Sequence, residues 1–172
     1  ALSATAFYVG VYTLWLKRTS RQNIVIGGAA GAVPVLVGWA AVRNDLAWSP
    51  VVLFAVMFFW TPPHFWALAI KYADDYRAAN VPMLPAVVPF EHAVRQMVGH
   101  TLAMVACSLV LVPVADLGTL YAVAAVVLGA VFIAATVWLG RFPTPANSMR
   151  VFGYSITYVT LLFLAMTLDV LV

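Results

Sequence analysis

The chain has 172 residues, of which 65% are apolar and 9% charged, with a mean hydropathy of +0.99; a soluble domain is about half apolar and a quarter charged. This composition excludes a soluble globular protein, and a formal charge of +3 spread thinly along the chain excludes a nucleic-acid surface. The single cysteine, Cys107, lies in an apolar run, which excludes an internal disulfide framework and a cysteine-built metal site.

A membrane-spanning helix needs about 20 mainly apolar residues. Polar breaks divide the sequence into six such stretches, at residues 2–16, 24–42, 50–70, 98–114, 120–139 and 151–172. The expected fold is all-α: a polytopic helix bundle in a lipid bilayer, with residues 1–172 forming a single transmembrane domain. The connections are 17–23, 43–49, 71–97, 115–119 and 140–150, and the long third one is a functional suspect. Eight of the nine Lys and Arg residues fall in the first, third and fifth connections. The positive-inside rule places those in the cytoplasm and both chain ends outside. An N-terminus outside, starting Ala1-Leu2-Ser3 without a signal peptide, is what remains if an odd number of helices precede it.

In chain order, the first connection concentrates Lys17, Arg18 and Arg21, a cluster suited to phosphate oxygens or to positive-inside bias alone. The second stretch opens Asn23-Ile24-Val25-Ile26-Gly27-Gly28-Ala29-Ala30-Gly31-Ala32. Gly27 and Gly31 stand at small-xxx-small spacing, which favours close helix packing over a phosphate loop. The third stretch carries Trp60-Thr61-Pro62-Pro63-His64-Phe65-Trp66. Its prolines free the carbonyls of Phe58 and Phe59 and predict a kink. An ionisable side chain at membrane depth makes His64 a functional candidate. The alternative is a neutral histidine bonded to a freed carbonyl on a neighbouring helix, with Trp60 and Trp66 as interfacial anchors. If the helix continues past Ile70, Trp60, His64, Lys71 and Asp75 share one face running to the cytoplasmic edge. There Asp74 and Asp75, flanked by Lys71 and Arg77, suit Mg2+, a hard cation that shares oxygen ligands with substrate phosphates; a solvated loop with local ion pairs is the other reading. Val81-Pro82-Met83-Leu84-Pro85 follows, apolar and expected to be non-helical, as in a segment folded over a site.

Taken together, Tyr12 to Arg18, Asn23 to Ala32, Gly38 to Val42, Trp60 to Trp66, Asp74-Asp75-Tyr76 and Val81 to Pro85 resemble the protoheme IX farnesyltransferases, or heme O synthases, among the UbiA-type intramembrane prenyltransferases. The ending from Phe152-Gly153-Tyr154-Ser155 to Asp169 resembles the last helix of that family. The resemblance implies a nine-helix bundle in the bacterial plasma membrane that transfers farnesyl from farnesyl diphosphate to a vinyl group of heme b. It further implies Mg2+ as cofactor, and heme A synthase or terminal oxidase assembly as partners downstream. Asp75 and Asp74 match the second acidic motif of the family and are the expected metal ligands and, with Lys71, the catalytic group. Lys17, Arg18 and Asn23 are the expected diphosphate contacts, and His64 and Trp60 the expected heme contacts. The first acidic motif of the family and the three helices that carry it do not occur here, so the chain is expected to be N-terminally incomplete and inactive alone.

Two departures from the family pattern stand out: Thr19-Ser20-Arg21 shifts a cation by two positions, and Asn80 stands where glycine is usual. A prenyltransferase acting on a quinone precursor would lack the Pro-Pro-His block. A transporter would more naturally place charges at the bilayer midplane, whereas here, apart from His64, they stay at the edges; a non-catalytic heme-handling protein is a third reading.

Overall fold

The computed structural model describes residues 2–171, and among them there is no strand. Helices α1 (Leu2–Ala6) and α2 (Lys17–Thr19) flank a π-helical run, Phe7–Leu16. Then come α3 (Asn23–Arg43), α4 (Trp48–Lys71), the short α5 (Ala73–Ala78) and α6 (Leu84–Val87), and the long α7 (Phe90–Val114), α8 (Thr119–Arg141) and α9 (Pro145–Leu171). Among the described residues five helices (α3, α4, α7, α8 and α9) are long and apolar enough to cross a membrane, so the chain forms a polytopic membrane helix bundle. The first expected span is helical but divided between α and π geometry, and it is not one of the five. Its wider turn shows in Thr13 Oγ1, which donates to the carbonyl of Tyr8, five residues back, at 3.0 Å.

Two expected boundaries move. Helix α7 starts at Phe90 rather than 98 because Pro89 sets a helix entry, its carbonyl accepting from the amides of His92 and Ala93 at 3.0 and 3.1 Å. Glu91, His92 and Arg95 therefore sit in the first turns of a helix, where an apolar-run reading sees only loop. Helix α9 likewise starts at Pro145 rather than 151, with the Thr144 hydroxyl accepting from the amide of Asn147 at 3.1 Å.

Helices α4, α7, α8 and α9 close a four-helix ring, α3 packs on α4, and the N-terminal segment packs on α3. Trp66, Met97, Met104, Tyr121, Phe132 and Tyr158 are fully buried within the bundle. Val123, Val126 and Val131 of α8 and Leu161 and Leu164 of α9 are exposed, as expected of surfaces that face lipid chains. With apolar solvent outside, association relies on close packing and interhelical hydrogen bonds. Both are present: a Cβ on Gly129 would come within 2.8 Å of Val105 Cγ1. At the buried Ser108 hydroxyl, Met104 O lies at 3.0 Å and Tyr158 OH at 2.8 Å, while Tyr121 OH donates to the Ser108 carbonyl at 3.1 Å.

At one end of the bundle, Ser49 Oγ donates to Val114 O at 3.1 Å, and the Asp169 carboxylate accepts from the amides of Gly118 and Tyr121. At the other end, Arg18 and Thr19 meet the segment from Tyr76 to Pro82, and Gly140 lies against Val94. The first, third and fifth connections therefore share one end, with eight of the nine Lys and Arg residues at it; Arg43 is at the other.

Candidate active site

The charged end is built on the exit of α4. Tyr72 leaves helical geometry (φ −105°, ψ 26°) and α5 restarts at Ala73, so the expected unbroken stripe from Trp60 to Asp75 is interrupted there. Lys71 is exposed, with Nζ 5.1 Å from the centre of the Tyr72 ring. Asp74 and Asp75 occupy the first turn of α5. Arg77 bonds the Asp74 carboxylate through Nη1 and donates from Nε to the carbonyl of Ala86 at 3.0 Å, joining α5 to α6. Asp75 is exposed, and no ion pair or side-chain hydrogen bond engages it among the described residues. Sequence reasoning did not single out Arg77 as a site residue, although its i,i+3 spacing from Asp74 was the available signal.

Arg18 and Thr19 share a cavity of about 370 Å³ with Tyr76, Arg77, Asn80, Val81, Pro82 and Val87. The fold thus brings Arg18 beside the acidic helix, while Lys17 is exposed and outside that lining. Asn23 heads α3 fully buried, with neither amide atom partnered. Its neighbour Ile24 packs with Ala69, Met83 and Ala86, so the segment after α5 is drawn down onto the heads of α3 and α4. Only part of the segment expected to be irregular is so, because Leu84-Pro85 opens α6. Asn80, the departure from glycine, has φ 53°. In that left-handed region glycine is easiest, and asparagine is among the few other residues that visit it routinely.

Deeper along α4, His64 is buried and clamped. Its ring stacks on Trp60 (centroids 4.3 Å, planes 18°) and on Phe152 of α9 (4.6 Å, 24°), with Phe65 edge-on. Nδ1 lies 2.7 Å from the Ser155 hydroxyl, and Trp60 Nε1 donates to the Ser155 carbonyl at 2.8 Å. The partner of His64 is therefore a serine on α9, not a carbonyl freed by the prolines. Trp60 is tied to α9, and Trp66 is fully buried edge-on to His100 at 5.2 Å; neither serves as an interfacial anchor. Ser155 and Phe152 escaped the list of expected site residues because contacts between helices far apart in sequence leave no local pattern.

Trp60 also walls a cavity of about 210 Å³ with Tyr8, Tyr12 and Gly31. The close approaches beside it involve Gly27, against the Tyr12 ring, and Gly28, where a Cβ would stand 3.1 Å from Thr61. Gly31, expected to pair with Gly27 in packing, has nothing within 4 Å of a Cβ position and lines the cavity instead.

Among the described residues no group of three or more His, Cys, Asp or Glu side chains is placed to hold a metal ion. Mg2+ commonly keeps several waters and binds through one or two carboxylates plus substrate phosphates. An exposed, unengaged Asp75 beside Asp74 fits that mode of shared binding, not a cage made by protein alone.

The family description "UbiA prenyltransferase family" matches residues 1–167. The chain is 57% identical to the protoheme IX farnesyltransferase of Frankia alni, over 98% of this chain and 60% of that protein. It is 53% identical to the one from Gloeobacter violaceus (98% and 56%) and 52% identical to the one from Synechocystis sp. (98% and 54%). The chain thus spans somewhat more than half the length of these curated relatives. No solved structure matches it significantly. By composition, helical architecture and this match along nearly its whole length, the chain belongs to the UbiA prenyltransferase family.

Proposed function

We propose that the protein containing this chain is a protoheme IX farnesyltransferase, joining farnesyl from farnesyl diphosphate to a vinyl group of heme b to give heme O. The observation that carries this reading is the clamped His64. It is a buried imidazole between two aromatic faces in the block that carries the resemblance, lying below the charged end of the same bundle.

Arg18, in the cavity beside α5, offers a cation to the diphosphate, Lys17 and Lys71 are further proposed contacts, and the unpartnered amide of Asn23 is the proposed donor from the head of α3. Asp75, with Asp74 second, would hold a divalent cation, proposed to be Mg2+, which when bound offsets the charge that develops on the leaving diphosphate. The C1–O bond of the allylic diphosphate breaks, its electron pair leaving with diphosphate. C1 then bonds the terminal vinyl carbon, and the cation formed on the adjacent carbon takes a water oxygen and releases a proton, leaving a hydroxyl. Met57, Trp60 and Phe65, which line the cavity beside α4, would keep water from the allylic cation until carbon–carbon bond formation. His64 and Trp60 are the proposed heme contacts. We place the charged end in the cytoplasm of a bacterial plasma membrane on the positive-inside rule. Heme A synthase or a terminal oxidase assembly would receive the product.

The test is a competition assay on membranes holding the full-length protein, with labelled farnesyl diphosphate and both heme b and an aromatic quinone precursor present. Label is expected in the heme fraction; label in the quinone precursor would overturn the assignment.

A further inference from the structure

The Ser155 hydroxyl has one proton and two neighbours. It stands 2.5 Å from the carbonyl oxygen of Phe152, one helical turn back on α9, and 2.7 Å from Nδ1 of His64. A carbonyl oxygen only accepts, so the hydroxyl proton goes to Phe152. The serine oxygen is then an acceptor toward His64, and Nδ1 must be the protonated nitrogen. The carbonyl of the same serine is occupied by Trp60 Nε1–H at 2.8 Å, so one residue holds both members of the α4 aromatic pair. With Phe152 stacked on the other face of the imidazole, the ring is fixed in plane and in rotation. Nε2 has no hydrogen-bond partner among the described residues, and in this tautomer it carries the free lone pair.

We propose that Ser155 is a positioning residue that locks His64 in the Nδ1–H tautomer and presents Nε2 as a lone-pair donor to the iron of the acceptor heme. An imidazole that binds a metal through one nitrogen is commonly oriented by an acceptor on the other N–H, and Ser155 supplies that acceptor from a different helix. The heme part rests on the function proposed above, whereas the tautomer does not, so the two fail separately.

The experiment is nitrogen NMR of the full-length protein, labelled with ¹⁵N-histidine and held in lipid bilayers without heme. The chain has three histidines, His64, His92 and His100, and the spectra of H92Q and H100Q assign the remaining signals. His64 is expected to show a protonated Nδ1 and a bare Nε2. A protonated Nε2, or a mixture of tautomers, in the wild-type protein would overturn the proposal whatever the variants do. S155A should convert the single tautomer into a mixture and weaken heme binding about tenfold to a hundredfold, with S155T restoring both; a single Nδ1–H tautomer persisting in folded S155A would reject the role of Ser155. If the tautomer is as expected but H64A binds heme normally, the heme assignment fails and the tautomer stands.

Discussion

The guanidinium of Arg77 is bonded to the carboxylate of Asp74, three residues before it in α5, and the adjacent Asp75 is left without a partner. The two acidic residues of one motif are thus unequal. Asp74 is partly neutralised by an exposed and therefore weak pair, and Asp75 keeps its full charge for a ligand. Asp75→Asn in the full-length protein should abolish heme O formation while leaving membrane insertion unchanged, and Asp74→Asn should cost less. Retention of activity in Asp75→Asn within about threefold of wild type, or about 0.7 kcal/mol of barrier, would reduce Asp75 to a solvated residue.

His64→Ala separates binding from stability. If His64 contacts heme, the substitution alters the heme absorption spectrum or heme affinity and leaves farnesyl diphosphate binding at the charged end nearly unchanged. A purely structural histidine predicts the opposite pattern: an unaltered heme spectrum, loss of about 1 to 3 kcal/mol of stability from unpaired buried groups, and both substrates weakened together.

Asn80 offers a backbone test. At φ 53°, Asn80→Gly should leave thermal stability within about 0.5 kcal/mol, whereas Asn80→Val should lower it by roughly 1 to 2 kcal/mol. Equal stability of the two variants would show that the turn after α5 does not need the left-handed conformation.

Asp169 caps α8 from the far end of α9, accepting from the amides of Gly118 and Tyr121. Asp169→Ala should cost about 0.5 to 2 kcal/mol, the usual loss of a helix cap, read as a lowered Tm in detergent. An unchanged Tm would mean that solvent satisfies those amides equally well.

Topology is checked by cysteine labelling of S20C in a Cys107→Ala background. Modification only from the cytoplasmic side is expected. Modification only from the outer side in intact cells would reverse the positive-inside assignment.

Much of the fold was legible because a bilayer imposes a length and a composition on each span. Helices α3, α4 and α8 begin and end within two residues of the apolar runs that predicted them. The starts of α7 and α9 were hidden because Pro89 and Thr144 open helices whose first turns carry Glu91, Arg95 and Arg150, charges that suit a membrane edge and resemble loop in a hydropathy reading. The site divides the same way. Asp74, Asp75 and His64 stood out as charges or ionisable groups in an apolar chain. Ser155, Phe152 and the tie from Arg77 to Ala86 depend on which helix lies beside which, and a single sequence does not encode that as a local pattern. Gly28 rather than Gly31 meets its neighbour because the contact depends on where Thr61 of α4 crosses α3.

The central claim is that the prenyl acceptor is a heme. The most direct measurement is mass analysis of hemes extracted from cells that lack their own heme O synthesis and express the full-length protein. The account predicts a new heme heavier than heme b by one farnesyl group and one hydroxyl group, absent when Asp75→Asn replaces the wild type. Heme b alone, in cells whose membranes contain the folded protein and ample farnesyl diphosphate, would contradict it.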